Sequence, residues 1–109
     1  MKLNVYAVKD EVACEFPFTF EAPNDGMMIR IVKGALLTKE QNVINTDIKD
    51  KVIFQVGERD TSTGELKGIV PLFIKRVSEI RLDLIKEIKI AKAEAGEKEP
   101  EAPEVAKDE

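Results

Sequence analysis

The sequence predicts an α+β fold: a small antiparallel sheet of three or four strands with two helices and a disordered acidic C-terminal tail. Three patterns point there. Two β-rich segments precede the first helical spacing, two more flank a polar turn containing a glycine, and a long Lys/Glu-rich run with apolar residues at three- and four-residue steps follows them. A chain of 109 residues suits one domain, read here as residues 1–93, with the tail at 94–109.

The opening stretch Lys2 to Lys9 carries Leu3, Val5 and Ala7 on one side and Tyr6 and Val8 on the other. A strand apolar on both sides belongs in the middle of a sheet. Residues 12–21 then alternate, with Val12, Cys14, Phe16, Phe18 and Phe20 on one side and Ala13, Glu15, Pro17, Thr19 and Glu21 on the other, so they predict a second strand with one apolar face. Pro17 cannot donate to a ladder, which places that strand at an edge or puts a bulge in it. Pro23-Asn24-Asp25-Gly26 ends it, and Asn24 or Asp25 caps a helix whose stripe is Met28, Ile31, Val32, Ala35 and Leu36.

Residues 38–50 read as a connecting loop with one helical turn and a Val43-Ile44 anchor. Lys51 to Gly57 is a strand, and Glu58 to Gly68 a hairpin in which Asp60 supplies a side-chain cap and Gly64 a left-handed residue. Ile69-Val70 returns as a short strand that Pro71 ends. The last helix is expected from about Leu72 to Lys92, with Phe73, Val77, Ile80, Leu84, Ile88 and Ala91 along its stripe, while Leu82 and Ile90 fall off it.

Composition narrows the function classes. There is no His, which removes the usual general base and the commonest metal ligand, and the single cysteine, Cys14, allows no intrachain disulfide. Neither a phosphate-binding glycine loop nor a calcium-loop spacing is present, so the expectation is a non-enzyme with no cofactor and no metal. Cys14, on the apolar side of its strand, is read as a buried inert thiol. The N-terminus lacks a secretory signal and no apolar run could span a bilayer, so a cytoplasmic location without membrane contact is expected. The formal charge of −4 misleads as an average: residues 94–109 hold seven acids and two lysines, a net −5, whereas residues 1–93 hold 15 Lys+Arg against 14 Asp+Glu.

The order of motifs resembles the small nonstructural protein family of gokushovirus-type microviruses, single-stranded DNA phages. The resemblance rests on the strand Val5-Tyr6-Ala7-Val8-Lys9-Asp10, the Pro17-Phe18 step, and the helix from Gly26 to Leu37 with Arg30. The run from Phe54 to Leu66 through Gly57 and the polar turn, and a final helix after a proline, complete it over roughly residues 4–84. It implies a virally encoded, non-capsid accessory protein of the infected bacterial cytoplasm, with DNA binding around single-stranded genome synthesis or packaging.

On that implication, sequence-nonspecific single-stranded DNA is the first candidate partner. Phe18 is the stacking candidate, and Arg30, Lys33, Arg59, Lys75 and Arg76 are candidates for a phosphate track, with Lys9 and Arg81 as further basic residues. Against this stand two plainer readings: Phe16, Phe18 and Phe20 as core beneath the helices, with Phe18 the ring left partly exposed, and the basic residues as a solvated, charge-mixed surface. The alternative function is a protein-interaction adaptor docking a host or viral partner through the C-terminal amphipathic helix, whose spare apolar residues Leu82 and Ile90 DNA binding does not need. Small size and an edge strand also lead to the expectation of a homodimer.

Overall fold

The structure, a computed structural model, describes residues 1–96. Strands β1 (Lys2–Asp10), β2 (Glu15–Ala22), β3 (Lys51–Asp60) and β4 (Leu66–Arg76) form one antiparallel sheet in the order β2-β1-β3-β4. Helix α1 (Asp25–Leu37) follows β2, and α2 (Val77–Glu94) follows β4. The α+β class is therefore as expected, with β1 in the interior of the sheet. The acidic segment called from residue 94 lies, beyond Gly96, outside the described residues.

Both helices cover one face of the sheet. Tyr6, Val8, Ala22, Ile53, Met28, Val32, Val77 and Ile80 are buried between the layers, joined by Ile44 from the connecting loop. The α1 start is set as expected: Asn24 Oδ1 accepts from the Met27 backbone N–H at 2.9 Å. Tyr6 ties the helix to the sheet, its phenol donating to Asp25 Oδ1 at 2.6 Å. At the other end of α1, Asn42 Nδ2 donates to the Ala35 carbonyl while Asn42 Oδ1 accepts from the Ile44 and Asn45 N–H groups. That loop is further held by buried Lys51, whose Nζ donates to the Val43 carbonyl at 2.9 Å and to that of Thr46. Its single helical turn is Ile48–Asp50.

Several expectations fail, most of them around β2 and β4. The second strand starts at Glu15, not at residue 12: Val12 and Ala13 belong to a turn whose N–H groups are bonded by Asp10 Oδ1, and Cys14 sits at φ 58° with an exposed thiol rather than a buried one. Pro71 does not end its strand, which continues to Arg76, so α2 begins at Val77 and not at Leu72. Ile31 is also exposed, off the buried line of Met28 and Val32.

Both prolines sit in bulges on edge strands, where a missing N–H is tolerated. Val8 pairs with Phe18 and Asp10 with Glu15, so Phe16 and Pro17 together oppose Lys9. Gln55 pairs with Leu72 and Gly57 with Gly68, so Ile69, Val70 and Pro71 oppose Val56. Gly57 must be glycine, because a Cβ there would stand 2.7 Å from the Lys67 carbonyl oxygen. The hairpin turn forms as expected: Asp60 Oδ1 accepts from Ser62 N–H, and Gly64 takes φ +80°.

Candidate nucleic-acid interface

A bulge shifts the alternation of a strand by one residue, and here it moves Phe16 across the sheet. Phe18 and Phe20 pair with Val8 and Tyr6 and share their helix-covered face. Phe16 instead meets Phe54 at 5.7 Å between ring centroids, edge to face, on the face that carries no helix. Phe54 pairs with Ala7 and Phe73, and its ring lies 6.0 Å from that of Phe73 in a second edge contact. The three rings cross the sheet from β2 to β4. Phe16 and Phe73 are about half exposed, at 43% and 52%, and Phe54 lies lower between them.

Basic side chains share this face with the ladder. Lys9 Nζ stands 5.7 Å from the Phe16 centroid and 5.8 Å from that of Phe54. Arg59, paired with Leu3, and Arg76, paired with Val52, extend from the same open face. Each grips a carboxylate with two nitrogens: Arg59 holds Glu21, and Arg76 holds Glu11 at 3.0 and 3.2 Å. The Arg59 guanidinium keeps the Glu21 carboxyl below its ordinary range, and the arginine is raised in turn. Lys9 makes no ion pair among the described residues. With three cations against two carboxylates, the face is only mildly positive.

The six residues singled out from the sequence do not form one track. Arg59 and Arg76 reach the open face. Phe18 lies under the helix layer at its outer margin, 42% exposed and stacked on Phe20. Arg30 and Lys33 sit on α1, where Lys33 pairs with Glu87 of α2 at 2.6 Å. Lys75 pairs with Asp83 at 3.2 Å, again on the helix side, and the Lys75-Arg76 pair ends β4, with Arg76 as the N-cap of α2. Phe54 and Phe73 were missed. Alternation within Ile69–Ile74, read as strand, would have separated Phe73 from Leu72 and Ile74.

Among the described residues, no three Cys, Asp or Glu side chains gather as metal ligands, and no helix is long and apolar enough to cross a membrane. Neither the curated proteins nor the solved structures contain a significant match to the chain. The family comparison does find one, a match over residues 3–80 that takes in the sheet from Leu3 onward, α1 and the first turn of α2. The rings and basic residues of the open face lie within that span, and the chain belongs to the Phage ORF5 protein family.

Proposed function

We propose that this phage protein is an accessory factor of gokushovirus-type microviruses that binds single-stranded DNA weakly and without sequence preference, during genome synthesis or packaging in the host cytoplasm. The observation that supports this reading is the Phe16–Phe54–Phe73 ladder on the helix-free face, with Lys9 against two of its rings. Unpaired bases stack on exposed aromatic faces whatever their identity, each contact contributing about 1–3 kcal/mol. Phosphates would meet Lys9 directly and Arg59 and Arg76 by exchange with Glu21 and Glu11. That exchange makes weak, salt-sensitive binding the expected outcome.

Fluorescence anisotropy with a labelled oligo-dT tests the reading. Binding at low salt that falls steeply as salt rises supports it; no binding at low salt ends it. A second reading, protein docking through α2, draws on Leu82, Ile85, Ile88 and Ile90, which stay exposed along the outer part of that helix. Under it, Leu82→Glu and Ile90→Glu would abolish capture of a phage or host partner while leaving anisotropy unchanged.

A further inference from the structure

We infer that two copies of this chain join their β2 edges antiparallel about a twofold axis at Thr19, each covering an apolar cavity of the other. One side of β2 pairs with β1; the other has no strand beside it among the described residues. Along that edge, on the helix side, lies a cavity of about 430 Å³ lined by Phe18, Phe20, Ile31, Ala35, Val43 and Ile44. Asn42 also reaches it, but its amide is already committed to the loop and to Ala35. The cavity therefore selects an apolar occupant. Its rim is apolar too: Phe18 and Ile31 are each 42% exposed, and Met27 lies one turn before Ile31 on the same side of α1.

The sequence of β2 favours a second copy of itself as that occupant. A twofold axis normal to the sheet keeps both helix layers on one side, so directly opposed residues must share a face. Centred on Thr19, the pairing sets Phe18 opposite the partner's Phe20 and Glu21 opposite the partner's Pro17. Aromatic pairs then form twice on the helix side, above the two cavities, and no like charges meet. Centring on Phe18 would set Glu15 opposite the partner's Glu21, a repulsive pair. Gly34, one turn after Ile31 with open space around its Cβ position, lets the two α1 helices come close. Each edge carries a proline in a bulge, but Phe18–Ala22 of β2 pair regularly beyond Pro17, whereas the three-residue bulge with Pro71 interrupts the middle of β4.

Engineered cross-linking reads the register. Directly opposed Cα atoms in antiparallel strands stand about 4.5–5.5 Å apart, within disulfide reach. In full-length protein carrying Cys14→Ser, Thr19→Cys should form a covalent dimer under mild oxidation, whereas Glu21→Cys should not. Sedimentation velocity over about 10–100 µM should show a dimer whose dissociation constant rises at least about tenfold in Thr19→Lys and in Ile31→Lys, both surface changes that keep the circular dichroism melt. A 12.2 kDa species throughout, with no Thr19→Cys cross-link, overturns the proposal. So does a dimer indifferent to both lysines, because its contact then lies elsewhere, as on α2.

Discussion

Ile53 and Phe54 are consecutive residues of β3 that face opposite ways. Ile53 is fully buried beneath α1 and α2, among Val8, Val32 and Ile80. Phe54 lies on the face no helix covers, between two other rings and beneath Lys9. The covered face packs Tyr6, Phe20 and Phe18 among aliphatic side chains, with the phenol hydrogen-bonded; the open face carries its three rings beside Lys9 and two arginine–carboxylate pairs. Residues on the first are held in place by burial. On the second, ring area is left at the surface beside ion pairs, which is the arrangement the proposed single-strand binding would use.

The largest effect that can break this comparison is on stability. Ile53→Ala should cost about 2–5 kcal/mol in urea unfolding, through lost burial and the cavity left behind. Phe54→Ala should cost only about 1–2 kcal/mol, because part of the ring is solvated already. Equal losses would mean that the open face is core as well.

Next comes Tyr6. Burial first, then its hydrogen bond to Asp25, pushes the phenol up to about 12 from 10.0. The protonated phenol therefore contributes stability that is complete below pH 10 and lost as pH rises through about 12. Tyr6→Phe should lower stability by about 1–2 kcal/mol at neutral pH and remove that alkaline loss, as read by thermal melts from pH 8 to 12.

On the open face, Phe16→Ala and Phe73→Ala should each weaken oligo-dT binding by about 5- to 100-fold while the salt slope stays unchanged, since stacking releases no counterions. Phe18→Ala, under the helix layer, should leave binding unaltered in the same anisotropy titrations. A reversed order would return the site to Phe18. The smallest effect belongs to Glu21. Its lowered carboxyl contributes stability above its ordinary value of 4.5, lost as pH falls through its folded value, so Glu21→Gln should flatten the acid limb of the melting curve. The same change frees Arg59 and should tighten oligo-dT binding modestly.

How much of this was legible can be followed along β2. Pro17 announced an edge or a bulge from its missing N–H, and both are present. What the bulge does to Phe16 was not legible, because one extra residue resets every side chain beyond it. Val12 and Cys14 continued the apparent alternation, yet Asp10 captures their segment in a turn. The stretch Leu72–Arg76 fits strand and helix alike: Phe73 stands four residues before Val77, a helical step, and also alternates with Leu72 and Ile74. Pairing with β3 decides for strand.

Local chemistry was enough, from the residues alone, for the fold class, the interior position of β1, a helix cap at Asn24 or Asp25 and the Asp60–Gly64 turn. Each depends on side chains and backbone within a few positions of one another. The open face depended on the tertiary structure. Its aromatic ladder brings together rings from three strands, and its arginines meet carboxylates 38 and 65 residues away. Alternation tells which neighbours within a regular strand share a face. Strand pairing, which no single segment encodes, sets where bulges interrupt that alternation and which distant charges meet.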